Sequence, residues 1–132
     1  ARPRGLAEAL QISDRVRFLG RLSEMELVDE YARCSAVWYG AQAEDYGLVT
    51  LEAFSAAKPV ITCVDSGGPA ELVVDAETGF VVQPESADVA VAIQRVTRPQ
   101  VAADLGQASL AVAQRHSWKR AVARLLGGAG VV

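Results

Sequence analysis

Two glutamates eight residues apart, Glu44 and Glu52, are the side chains whose type and spacing could do chemistry. Glu44 follows the apolar run 36–39, which predicts a strand, and Glu52 lies little more than one turn inside a helix predicted over 47–57. Helical side chains lean toward the helix N-terminus, and one turn rises only about 5.4 Å. We therefore expect both carboxylates to converge beside the N–H groups that open this helix.

Such a cluster suits a ligand that carries both hydroxyl pairs and phosphates. Ionised carboxylates only accept hydrogen bonds, so they match vicinal hydroxyls. A helix N-terminus receives phosphate or carbohydrate oxygens, and Gly47, having no side chain, lets a ligand approach the backbone closely. Together these features favour a sugar nucleotide. Taken alone, two glutamates at this spacing more often have no shared function. The first is then a solvated loop side chain, and the second merely favours the start of a helix.

The rest of the chain predicts the elements that position this cluster. Short apolar runs predict strands over 16–19, 36–39, 59–64 and 79–82, and the third suits a strand buried on both faces. Amphipathic or capped stretches predict helices over 3–11, after Ser23 with a capping box to Glu26, over 47–57 and 69–74, after Ser86, over 101–114 and after Ser117.

Strand–helix alternation predicts an α/β fold, a Rossmann-like three-layer α/β/α arrangement with a parallel sheet. Residues 1–132 form one domain on this interpretation, with 127–132 as a frayed, flexible tail. Trp38 is expected in the core. Because a helix enters the first predicted strand directly, the chain is expected to begin partway into its fold, without the first strand–helix units.

Composition excludes several classes of partner. Apolar residues make up 51% of the chain, charged residues 22%, and the net charge is −3, so no polybasic surface for nucleic acid is expected. Cys34 and Cys63 have no metal-binding spacing and are expected to be buried thiols. No run of 18 apolar residues and no signal segment is present in the sequence. We therefore expect a cytoplasmic protein.

Several segments in order resemble one enzyme family. They are VRFLG at 16–20, LVDEYA at 27–32, AVWYGAQAEDYGLVTLEA at 36–53, KPVI at 58–61, SGGPAELV at 66–73, TGFVV at 78–82 and HSW at 116–118. This set resembles the retaining GT-B glycosyltransferases of family 4, called glycosyltransferase group 1. The resemblance implies that the chain is the C-terminal, nucleotide-sugar-binding half of a GT-B fold.

The resemblance also implies a role for each matching residue. Glu44 and Tyr46 would contact the donor sugar together with Gly47 and Leu48, and Glu52 would bind the ribose hydroxyls. The helix N-terminus would face the diphosphate, Arg21 would contact the base, and a loop would line the cleft. The diphosphate set is Gly47, Leu48 and Val49, and the cleft loop is Gly67 and Gly68.

The implied reaction moves a hexosyl group from a nucleotide-diphospho-sugar to an acceptor with retention of configuration. The nucleotide sugar is a co-substrate, and no metal or other cofactor is expected. The family's diphosphate-neutralising Arg/Lys pair and its N-terminal acceptor domain match nothing here. The isolated chain is therefore expected to be an inactive fragment, with peripheral membrane association only through the missing part.

Two other interpretations stay open at this point. The chain could be a non-enzymatic Rossmann-like binding or regulatory module that kept the core pattern. It could also belong to another GT-B enzyme, such as a sugar-nucleotide epimerase or a relative of glycogen phosphorylase.

Overall fold

Three parallel strands form the central sheet in the computed structural model, which describes residues 2–43 and 47–116. They are β1 (Val37–Trp38), β2 (Val60–Cys63) and β3 (Gly79–Val82), in that order across the sheet. The helices are α1 (Pro3–Ala9), a 3₁₀ turn (Ser13–Arg15), α2 (Glu24–Arg33), α3 (Leu48–Ser55), α4 (Gly68–Leu72), α5 (Ser86–Val96) and α6 (Pro99–Arg115). The predicted α/β fold with a parallel sheet is confirmed.

Strand β2 is the centre of the core, because all four of its residues are buried. Successive side chains of a strand point to opposite faces. Accordingly, Ile61 packs on one face with Phe80 and residues of α5 and α6, and Val60 packs on the other with residues of α3. Helices thus cover both faces of the sheet, and the prediction that this strand is buried on both sides is confirmed.

The prediction of a first strand over 16–19 is wrong. A 3₁₀ turn precedes it, and residues 16–20 belong to no strand. Phe18 and Leu19 are 38% and 43% exposed. A strand is defined by hydrogen bonds to a neighbour, and within the described ranges β1 pairs only with β2. Trp38, expected in the core, is 47% exposed on this same edge strand.

The ends of the helices test the capping predictions. Ser23 Oγ accepts from the Glu26 N–H at 3.2 Å, and Glu26 Oε2 accepts from the Ser23 N–H at 2.8 Å, which confirms the capping box. Ser86 does not cap α5, because it is already the first helical residue and Glu85 precedes it without a side-chain bond. Ser117 and the predicted tail lie outside the described residues.

Helix α6 lies directly on the C-terminal end of α3. A Cβ atom placed on Gly106 would be 2.2 Å from the Ala57 carbonyl oxygen, so only glycine allows this approach. None of the helices in the described ranges is both long and apolar enough to cross a bilayer.

Candidate functional site

The loops that follow β1 and β2 are joined at the carboxyl ends of these strands. The Ala43 N–H donates to the Asp65 carbonyl at 3.1 Å, and Gln42 Nε2 donates to Asp65 Oδ2 at 3.3 Å. The Thr62 hydroxyl also donates to the Tyr39 carbonyl at 2.7 Å. Ligands of open α/β sheets bind at this end of the strands. The chain just before Glu44 is therefore anchored where such a ligand would bind.

Gly47 closes the same loop from its other end and packs against the predicted cleft loop. It is buried and adopts the left-handed conformation, φ 60° and ψ 39°, as it starts α3. A Cβ atom there would lie 3.1 Å from Pro69 N, 3.1 Å from Leu72 Cδ1 and 3.3 Å from the Gly68 carbonyl carbon. The structure thus brings Gly47 against the first turn of α4 and against Gly68, which begins that helix and is the second residue of the predicted cleft loop, here called the 67–68 loop. This packing was not predicted from the sequence.

The 67–68 loop is itself held by a serine turn at the end of β2. Ser66 is fully buried, and its Oγ accepts from the Cys63 N–H at 3.2 Å. The Ser66 N–H donates back to the Cys63 carbonyl at 3.0 Å. Because both bonds tie the loop to the strand, the position of Gly67 is set by the sheet.

The N-terminus of α3 points its backbone amides toward this junction of loops. The first four N–H groups of an α-helix have no acceptor inside the helix, and here they include those of Leu48 and Val49. Leu48 is 65% exposed, so the first turn of α3 lies at the surface. Thr50 is fully buried, and its hydroxyl has no hydrogen-bond partner within the described part of the chain. This end of α3 can accept an anionic or polyhydroxyl ligand.

Glu52 lies on α3 with its carboxylate held by a tyrosine. The side chain is exposed, and its Oε2 accepts from the Tyr31 hydroxyl at 2.9 Å. Burial, the hydrogen bond to Glu52 and the charge of that carboxylate raise the pKa of the Tyr31 phenol above its ordinary value. The phenol therefore stays protonated at neutral pH and acts as a donor.

Sequence reasoning missed Tyr31 as a site residue. The helical spacing of LVDEYA at 27–32 placed this tyrosine on an apolar face. That assignment is right for its ring, which packs against the cluster of Ala53 and Phe54. The contact of its hydroxyl spans 21 residues, and no local pattern signals it.

The other predicted site residues are not brought together by described contacts. Glu44 and Tyr46 lie outside the described residues. Arg21 is exposed in the bend after Gly20, and no described hydrogen bond or ion pair joins it to Glu52 or to the 67–68 loop. The roles of these three residues stay predictions.

The cysteines are poor nucleophiles. Burial raises the pKa of the Cys34 thiol, against the opposing charge of Lys58, and burial with the charge of Asp65 raises that of Cys63. A thiol must ionise to react, so neither is activated. Both are free thiols, and Cys63 is buried as expected, but Cys34 is only partly buried. Over 2–43 and 47–116, no three His, Cys, Asp or Glu side chains group as metal ligands would.

Known proteins match this chain over most of its length. A profile of the family described as "Glycosyl transferases group 1" matches residues 1–109. A D-inositol 3-phosphate glycosyltransferase from Saccharomonospora viridis is 36% identical over 124 residues, 92% of this chain and 28% of that protein. This chain therefore spans less than a third of that relative.

Solved structures share the fold. A sucrose-phosphate synthase from Thermosynechococcus elongatus superposes with a TM-score of 0.84 at 31% identity, over 95% of this chain and 32% of that one. Anabaena HepE, solved with UDP and glucose, superposes with a TM-score of 0.77 at 25% identity, over 95% of this chain and 35% of that one. The sheet and its helices are those of the C-terminal, Rossmann-like half of a GT-B glycosyltransferase. The chain belongs to the glycosyl transferases group 1 family.

Proposed function

We propose that this chain is the donor-binding part of a glycosyltransferase that moves a hexosyl group from a nucleotide-diphospho-sugar to an acceptor with retention of configuration. The observation that carries the proposal is the packing of Gly47 on the 67–68 loop. This packing sets the N-terminus of α3 beside the cleft loop, with the Glu52 carboxylate on the same helix. Three groups that would bind one sugar nucleotide, namely the α3 amides, the 67–68 loop and Glu52, thus lie on two segments that pack together.

Each part of the junction has a matching part of the donor. The amides of Leu48 and Val49 and the positive end of the α3 dipole suit the diphosphate without a metal ion. Glu52 suits the two ribose hydroxyls, because an ionised carboxylate accepts both. Glu44 and Tyr46 would contact the sugar, and Arg21 the base. Complexes of Anabaena HepE with UDP and glucose and with UDP-glucose support a donor of this class.

We further propose that the complete enzyme is longer than this chain. The relatives are about three times its length, and in them this region is one part. Large apolar side chains are also exposed along α1, the segment after it and α2, and packing against the further domain would cover them. They are Leu6, Leu10, Phe18, Leu19, Met25 and Val28. The acceptor domain and the diphosphate cations would belong to that longer protein. A cytoplasmic location, with any membrane contact through the added part, stays a prediction.

Replacing Glu52 with alanine in the full-length protein is expected to weaken nucleotide binding about 5- to 150-fold, or about 1–3 kcal/mol, the scale of hydrogen bonds to a charged group. Calorimetric titration measures the affinity. Wild type is titrated with UDP and with GDP, and the nucleotide that binds more tightly is then used for the variants. Glu77→Ala is the matched control, because it removes the same charge from an exposed turn between α4 and β3. Unchanged affinity in Glu52→Ala would contradict the ribose role.

The 132-residue chain alone is expected to transfer no sugar, because the proposed diphosphate cations and acceptor domain are not part of it. A transfer assay with radiolabelled donor, comparing the short chain with the full-length protein, checks this. In a separate assay, EDTA is expected to leave the rate of the full-length protein unchanged, because no metal is proposed to hold the diphosphate. Robust turnover by the short chain would refute the fragment proposal. Loss of the full-length rate in EDTA would refute the metal-free site, and a full-length protein that binds donor without turnover would favour the non-enzymatic module.

A further inference from the structure

The tyrosine that holds Glu52 is fixed by its own packing. Tyr31 lies near the C-terminal end of α2, and its half-buried ring packs against the cluster that includes Ala53 and Phe54 of α3. A tyrosine has only two side-chain torsions, so a packed ring also fixes its hydroxyl. That hydroxyl lies 2.9 Å from Glu52 Oε2. A rigid donor on one helix therefore orients an exposed carboxylate on the next.

The bond leaves most of the carboxylate available to a ligand. An ionised carboxylate has about four acceptor positions on its two oxygens. Tyr31 occupies one position, on Oε2, and leaves Oε1 and the second lone pair of Oε2. Two hydroxyls on adjacent carbons can use those positions together. Burial and the nearby carboxylate raise the pKa of the Tyr31 phenol, so its proton stays in place when Glu52 is ionised.

No cation competes for this carboxylate in the described part of the chain. The arginines of the neighbouring surface, Arg17 and Arg33, both pair with Glu30, at 3.2 Å and 2.7 Å. Glu30 is one residue before Tyr31 on α2. The only described side-chain contact of Glu52 is thus a hydroxyl donor, and the acceptor positions it leaves suit further hydroxyl donors.

We propose that Tyr31 is a positioning residue that makes the site selective for ribonucleotides, because it orients Glu52 to accept both ribose hydroxyls at once. This inference rests on the proposed function, in which Glu52 binds the ribose. Without the phenol, an exposed Glu side chain has many rotamers, and binding a ligand must then order it. A mobile carboxylate would accept one hydroxyl nearly as readily as two, so the preference for ribose over 2′-deoxyribose would fall.

The test measures the affinity ratio between a ribonucleoside diphosphate and its 2′-deoxy counterpart, in the full-length protein. UDP and GDP, each with its 2′-deoxy form, are titrated calorimetrically, and the tighter pair is used. Tyr31→Phe keeps the packed ring and is expected to reduce the ribo/deoxy ratio by about tenfold, the scale of one hydrogen bond to a charged group. The ribo/deoxy ratio of the double variant Tyr31→Phe/Glu52→Gln should be no lower than that of Glu52→Gln alone, because Tyr31 acts through Glu52.

Glu30→Gln is the control, because it disturbs the polar contacts of α2 beside Tyr31 without touching Glu52. It should leave the ratio unchanged, since a general loosening of α2 would lower both affinities equally. An equal loss of both affinities in Tyr31→Phe would overturn the inference. If Glu52→Gln abolishes the selectivity but Tyr31→Phe retains it, this inference alone fails. If Glu52→Gln leaves the ratio intact, or no nucleotide binds wild type, the proposed function fails with it.

Discussion

Replacing Gly79 with alanine is expected to lower the free energy of unfolding by about 3 kcal/mol, from roughly 1–3 kcal/mol of backbone strain and a similar cost of overpacking. Gly79 opens β3 opposite Val60, with φ 153°. A Cβ atom there would lie 1.8 Å from the Val60 carbonyl oxygen and 2.9 Å from Val60 N. No rotamer relieves this clash, because the new atom meets backbone and not the end of a side chain.

The surrounding hydrogen bonds keep the two strands from separating to admit that atom. The Val60 N–H donates to the Thr78 carbonyl at 3.3 Å, and the buried Ser109 hydroxyl donates to the same carbonyl at 2.9 Å. The Ala76 N–H donates to the Gly79 carbonyl at 2.8 Å. Any shift of Gly79 therefore weakens the contacts between β2, β3 and α6, and moves the strand from which the 67–68 loop begins.

Urea unfolding monitored by circular dichroism measures the loss. Gly5→Ala is the control, because Gly5 lies in α1 and no atom lies within 4 Å of the place that a Cβ would take there. That change should be neutral or stabilise by up to about 1 kcal/mol, the difference in helix propensity. A Gly79→Ala protein as stable as wild type would show that β2 and β3 do not approach as closely as the structure places them.

Local sequence signals predicted the strands and helix ends whose structure depends mainly on residues close together in the chain. The apolar runs at 59–64 and 79–82 became β2 and β3 because both faces of the strands are covered by helices of this chain. The capping box at Ser23 formed because both of its partners lie within one helical turn. The run at 16–19 is also mostly apolar, but it has no neighbouring strand within the described ranges and lies outside the sheet.

Contacts across the fold could not be predicted in this way. Strand–helix alternation predicted that the strands are parallel and therefore which loops lie at their carboxyl ends, where the site is predicted. The bond from Tyr31 to Glu52 and the approach of Gly106 to Ala57 depend instead on how helices pack on the sheet. Gly47 shows the difference within one residue: its place at the start of α3 was predicted, and its left-handed conformation and its contact with Pro69 were not.

Replacing Gly47 with alanine is expected to damage the site through that contact and not through backbone conformation. Alanine already adopts left-handed φ in this chain, at Ala57 with 58° and at Ala76 with 62°. The conformation alone costs about 1–2 kcal/mol. The new Cβ would also lie 3.1 Å from Pro69 N, so α3 and the 67–68 loop must separate by a few tenths of an ångström.

Gly20→Ala isolates the cost of the conformation, because Gly20 has φ 65° and nothing within 4 Å of its Cβ position. We expect Gly47→Ala to lose about 1 kcal/mol more unfolding free energy than Gly20→Ala, the lower end of overpacking costs. Nucleotide affinity of the full-length protein should fall about tenfold, because misplaced binding groups lose affinity steeply. Equal unfolding losses with unchanged affinity would mean that the packing of α3 on the loop does not assemble the site.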